Sequence, residues 1–270
     1  MLDWSLVVPL LILGLCTGFL AGLLGIGGGM IMVPFITLIM TLQGVEPGLS
    51  VKMAIATSMT TIVFTSLSSV RAHHRRGAVR WDIVKQLTPG IVLGAAVASL
   101  GVFAWLDGRW LAFVFAGFVA FSATQMLLDR KPAPSRTMPG VPGQLAAGGA
   151  IGFLSGLVGA GGGFVSVPFM TWCNVVIHQA VATSAALGFP IALANALGYG
   201  WAGSSVEGLP AGAWGYIYGP ALITISVTSV LMAPLGVRVA HALPVQTLKR
   251  VFAGILYALA AFMLYKGLTA

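Results

Sequence analysis

The sequence predicts an all-α polytopic membrane protein of two inverted-topology repeats, each a glycine-broken helical hairpin plus three transmembrane helices. Three observations predict it. The first is composition: of 270 residues, 58% are hydrophobic and 7% charged, with a mean hydropathy of +0.97. Soluble domains carry roughly 25% charged residues, so this chain cannot cover a water-facing surface. Its apolar runs suit helices, which need about 20 residues to span, and the ~10-residue alternating segments of a barrel are missing. The second is duplication: residues 18–35 read GFLAGLLGIGGGMIMVPF, and residues 152–169, 134 positions on, read GFLSGLVGAGGGFVSVPF. The third is charge placement, because the basic residues cluster in a few short loops.

The apolar segments run at about 5–24, 29–42, 53–70, 87–106, 110–128, 145–158, 163–177, 180–202, 213–237 and 247–268. If residues 5–42 formed one helix it would be ~57 Å long, against a ~30 Å hydrocarbon core. Gly25, Gly27, Gly28 and Gly29 would also each cost about 1 kcal/mol inside a helix. The chain therefore breaks there, and again at Gly159, Gly161, Gly162 and Gly163. The next segments match as well: Lys52-Met53-Ala54-Ile55-Ala56-Thr57-Ser58 aligns with His178-Gln179-Ala180-Val181-Ala182-Thr183-Ser184, now at a spacing of 126. Near the ends, Phe115-Ala116-Gly117 matches Phe252-Ala253-Gly254. The stretch 129–143, DRKPAPSRTMPGVPG, is rich in proline and basic residues and reads as a cytoplasmic surface linker. It divides repeat 1 (1–128) from repeat 2 (144–270). No secretory leader is expected, since Asp3 stands where a basic n-region would be.

Charge decides between parallel and inverted repeats. With broken hairpins, loops 71–85, 129–136 and 238–250 share one side and hold eleven Lys and Arg; Lys52, Arg109 and Lys266 remain for the other. Four unbroken crossings per half would move 238–250 across and weaken the asymmetry. The excess of Lys and Arg in cytoplasmic loops favours inverted repeats with both termini outside. The same loops account for the net charge of +8, and no basic domain exists to bind nucleic acid.

A pair of interrupted hydrophobic segments in corresponding positions points to a carrier's binding site. The duplicated GxGGGxxxVP and Ala-Thr-Ser patterns, across nearly the whole chain, resemble the sulfite exporter TauE/SafE family of bacterial inner-membrane proteins. The resemblance implies transport of sulfur-containing anions: sulfite, sulfoacetate or another organosulfonate. It leaves substrate, direction, coupling ion and oligomeric state open.

The residues suggest how an anion would be held. Glycines let backbone N–H groups approach a ligand, and the helices that begin after Gly29 and Gly163 offer unpaired donors and partial positive charge. Gly27, Gly28, Gly29, Gly161, Gly162 and Gly163 are therefore read as ligand-facing. Gly18-Gly22 and Gly152-Gly156 have the GxxxG spacing of helix contacts. Thr57, Ser58, Thr183 and Ser184 either donate to the anion or bond to helices; Thr60, Thr61 and Thr65 share that stretch. Asn195, an amide inside a predicted span, is read as a ligand contact. Lys52 and His178 either draw anions into a vestibule at each end or snorkel at the interface. Pro34 and Pro168 kink the second hairpin helices.

Other classes are disfavoured. Asp3, Glu46, Asp82, Asp107, Asp129 and Glu207 all fall at predicted loops or helix ends, so no carboxylate sits where proton-coupled carriers place one. Neither a catalytic carboxylate pair nor a Ser-His-Asp set is visible, and Cys16 and Cys173 have no metal-ligand spacing. No cofactor or metal is expected. The alternatives to a carrier are an anion channel and a scaffold subunit that transports nothing.

Overall fold

A computed structural model describes residues 4–24, 28–128, 137–240, 242 and 246–269. Gly25, Gly27, His241 and most of the linker lie outside the described residues. In the first half, helices run α1 (Trp4–Leu24), α2 (Gly29–Leu42), α3 (Pro47–His74), α4 (Trp81–Trp105) and α5 (Gly108–Leu128). The second half follows the same order with α6 (Val141–Val158), α7 (Gly163–Trp172), α8 (Ile177–Ala202), α9 (Gly219–Ala240) and α10 (Gln246–Thr269). Among the described residues, seven helices are long and apolar enough to cross a membrane. The protein is an all-α membrane protein.

Local chemistry sets the helix ends. Pro47 opens α3, and the Glu46 carboxylate accepts from the N–H groups of Gly48 at 2.9 Å and Leu49 at 2.7 Å. Arg71, His73 and His74 sit in the last turn of α3, where positive charge suits the helix dipole. α6 stops at Gly159 (φ 71°), and α2 and α7 start after Gly28 (φ 71°) and Gly162 (φ 76°), left-handed conformations that favour glycine. The apolar stretch 213–237 is not one helix. Ala213–Trp214 and Ile217–Tyr218 form a short antiparallel hairpin, and α9 begins only at Gly219. Gly215 seats this hairpin on the Gly200 carbonyl, an approach any side chain would block. α4 carries a π-helical turn through Val97–Val102.

α3 and α8 form the centre: two-thirds of the apolar window of each is buried, against less than half in every other spanning helix. Around them the helices pair across the halves. α1 lies against α9, with Gly18 on the Ser229 backbone and Gly22 on Ala233. α6 lies against α4, with Gly148 on Leu87 and Gly152 on Ile91. A Cβ at any of these glycines would overlap a backbone carbonyl, so the GxxxG spacing does serve close helix packing. α5 pairs with α10. Trp105, Trp110, Trp201 and Trp214 are exposed at one end of the molecule, and Trp81 and Trp172 at the other. Tryptophan belts of this kind mark the two membrane–water interfaces.

Candidate transport site

The two glycine breaks meet. Gly29, the first residue of α2, lies against the carbonyl of Gly159 and the Cα of Ala160, so closely that a Cβ at 29 could not be placed. Ser58 of α3 donates its hydroxyl to the Gly159 carbonyl at 3.1 Å. The second break is thus held by the central helix of the first half. α2 begins at this junction and α7 a few residues beyond it; the third and fourth N–H groups of each already donate to the Gly28 or Gly162 carbonyl, which leaves only the first two without a helical partner.

The residues expected at the site fall into three groups. Gly28, Gly29, Gly161, Gly162 and Gly163 form or flank the junction; Gly27 lies outside the described residues. Gly28 packs on Thr17 of α1, and Gly162 on Ile191 and Ser155. The four Thr-Ser hydroxyls are buried. Thr57 accepts the Tyr218 N–H at 2.9 Å, and Thr183 accepts the Arg80 N–H at 3.0 Å. Ser166 of α7 donates to Ser184 at 2.9 Å. Thr60, Thr61 and Thr65 bond back to carbonyls one turn earlier. Asn195 is buried in α8, its amide donating to the Ile191 carbonyl at 2.8 Å while its Oδ1 lacks a hydrogen-bond partner.

Lys52 and His178 stand apart from this junction. Lys52 lines a cavity of about 700 Å³ at the end of the molecule that carries the α2–α3, α4–α5 and 206–216 loops. Its Nζ lies 3.3 Å from the Ala104 carbonyl, 6.0 Å from the centre of the Phe103 ring and 5.5 Å from that of Tyr216. Glu46, Asp107 and Glu207 line the same cavity, so acids outnumber the lysine there. Burial pushes the Tyr216 phenol above its ordinary value, which keeps it protonated. His178 is exposed at the opposite end, in the first turn of α8. Pro34 lies inside α2 and Pro168 inside α7, as their spacing implied.

Sequence reasoning missed an aromatic cluster that reaches the cavity through Tyr216. Phe103 tilts against Tyr199 with ring centres 4.4 Å apart and meets Tyr216 edge-on at 5.6 Å. The buried Tyr199 hydroxyl donates to the Gly156 carbonyl of α6. No periodic signal marks three aromatics brought together from α4, α8 and a loop. Among the described residues, no group of three or more His, Cys, Asp or Glu could hold a metal.

A model of the family described as sulfite exporter TauE/SafE matches residues 10–263. The chain belongs to the TauE/SafE family. A TauE/SafE chain of this length also has relatives aligned end to end. It is 35% identical over 264 residues to a "probable membrane transporter protein" of Haemophilus influenzae, covering 97% of this chain and all of that one. A "probable membrane transporter protein" of Methanocaldococcus jannaschii is 27% identical over 272 residues, covering 97% of each chain. The Bacillus subtilis "probable membrane transporter protein YunE" is 29% identical over 188 residues, covering 60% of this chain and 66% of that one. No solved structure matches. This TauE/SafE protein is a multi-pass membrane transporter.

Proposed function

We propose that the protein is a secondary carrier that exports small sulfur-containing anions, sulfite, sulfoacetate or another organosulfonate, across a bacterial inner membrane by alternating access. The anion binds at the paired glycine breaks. The observation that carries this reading is the contact of Gly29, the first residue of α2, with Gly159 and Ala160 at the C-terminal end of α6, which brings the two glycine breaks together beside α3. Backbone donors and helix dipoles hold anions without a buried cation. Thr57 and Thr183 accept backbone N–H groups, yet each hydroxyl proton can still be given to an anion. Ser58, Ser184 and Asn195 complete the lining.

Residues 1–128 and 144–270 are read as inverted repeats joined by a cytoplasmic linker, 129–143. Two contacts support this. Gln43 to Lys52, Asp107 and Glu207 gather around one cavity, whereas a parallel arrangement would put Glu207 on the opposite face from Glu46. Thr183 meets Arg80 at the other end. Charge also supports export. Arg71, Arg75, Arg76 and Arg80 draw anions to the cytoplasmic end, and the acid-rich cavity repels them from the outer end. Counterflow in proteoliposomes tests the carrier: internal unlabelled sulfite should accelerate uptake of labelled sulfite, with saturation. Linear flux without counterflow would make it a channel, and no flux of any sulfur anion would remove the reading.

A further inference from the structure

We infer that a small chamber at the tip of the second hairpin is the subsite for the –SO₃ group, held by Thr65, Ser66 and Ser69 of α3. The inference rests on the carrier reading and names its binding group. Gly161 forms one wall of the chamber and Gly188 of α8 another. Ser69 is 2% exposed, and its Oγ has no hydrogen-bond partner although it lines the cavity. Thr65 shares a hydrogen bond with Ser229 at 2.7 Å, and Ser66 bonds to the Val63 carbonyl at 3.1 Å. Among the described residues, no charged side chain lines the space.

Gly161 leads into α7, whose first N–H groups lack helical partners and carry the positive end of its dipole. Hydroxyl donors beside a helix N-terminus suit an anion and repel a cation. Three hydroxyls on one face of a helix, at positions 65, 66 and 69, can reach several oxygens, which suits an oxyanion better than a halide. A second observation comes from the duplication. The position 126 residues after Ser69 is Asn195, and its Oδ1 is also fully buried without a partner. Equivalent positions on the two central helices thus each keep a buried polar atom that the protein leaves unpaired, at a cost to its stability. The chamber measures about 10 Å³ as it stands, room for roughly one water-sized atom. Loading the whole group requires α3 and α8 to part, as alternating access demands.

Gly188→Ala gives a clean test. A Cβ there meets the Ser66 Cβ at 3.4 Å and the Gly161 carbonyl at 3.9 Å, ordinary contacts, so the methyl fills the chamber without a clash. Alanine also favours the helix. Ser69→Ala removes the unpartnered hydroxyl. Purified protein is melted with and without sulfite, methanesulfonate or chloride, and sulfite counterflow is measured in parallel. Both empty variants should melt at or above the wild-type temperature. Half-saturating sulfite and methanesulfonate should each rise at least tenfold, and chloride should stabilise neither variant nor wild type. Folded variants whose sulfite affinity stays within twofold of wild type would overturn the chamber and leave the carrier standing. Empty variants that both melt lower would show a structural role instead. Stabilisation by chloride equal to that by sulfite would overturn the oxyanion assignment. A wild type that neither binds nor moves sulfite or methanesulfonate would overturn the carrier, and the chamber with it.

Discussion

The Thr57 hydroxyl accepts the backbone N–H of Tyr218 at 2.9 Å, across 161 positions of sequence. Thr183, its partner in the duplication, accepts the N–H of Arg80 at 3.0 Å. Tyr218 immediately precedes α9, and Arg80 immediately precedes α4. Each central helix therefore holds the start of the fourth helix of the other half, one at each end of the molecule. The repeated Ala-Thr-Ser motif is a clamp between halves whatever else it binds.

Removing the oxygen should loosen that clamp. Thr57→Val keeps the shape and leaves a partly buried N–H without a partner, which costs about 1–3 kcal/mol. Thr57→Ser retains the acceptor and should recover most of the loss. Thr183→Val should show the same pattern at the other end. Thermal unfolding in detergent checks this; a valine variant as stable as wild type would mean that the N–H finds another partner.

The junction of the breaks should tolerate no side chain at Gly29. Its Cβ would overlap the Gly159 carbonyl, which Ser58 already holds. Gly29→Ala should destabilise by about 1–3 kcal/mol, the usual cost of overpacking. Gly188→Ala, on α8, where a Cβ makes only ordinary contacts, should not destabilise. Comparing melting temperatures of the two alanine variants separates junction packing from general helix effects.

Much of this architecture was legible because glycine reports directly on the backbone. Gly28 and Gly162 needed left-handed φ, and Gly18, Gly22 and Gly152 needed close helix approach; both needs leave glycines at fixed spacing. The duplication likewise exposed Thr57 and Thr183 as a pair. Their partners were hidden, since nothing local links Thr57 to Tyr218. Residues 213–218 read as helix because they are apolar, but Gly212 and Gly215 adopt positive φ and turn the chain into a hairpin. The role of Ser69 was invisible for a related reason: an unpartnered hydroxyl differs from its back-bonded neighbour Thr65 only in three dimensions.

Orientation can be tested at exposed loop positions. In a chain whose native cysteines are replaced, Gln43→Cys and Ser204→Cys should react with an impermeant thiol reagent from the same, periplasmic face. Arg76→Cys should react only from the cytoplasmic face. All three side chains are exposed. Labelling of positions 43 and 204 from opposite faces would establish parallel repeats.

Energetics follows from what surrounds the junction. Its lining is backbone, hydroxyl and amide, and Glu46, Asp107 and Glu207 sit in the end cavity instead of at mid-membrane. Without a carboxylate there, the usual proton carrier is missing from the lining, and the bound anion is expected to cross with its charge uncompensated. An anion leaving a negative interior gains about 2.3 kcal/mol per charge per 100 mV. That sustains an outward gradient of roughly fiftyfold per charge, since 1.4 kcal/mol is tenfold. Export is then expected to need no second ion. In proteoliposomes with equal pH on both sides, sulfite flux should follow an imposed potassium-diffusion potential and reverse when its sign is reversed. Flux that ignores the potential and follows a pH gradient would show proton-linked, electroneutral exchange, with His178 or Lys52 as the groups to replace next.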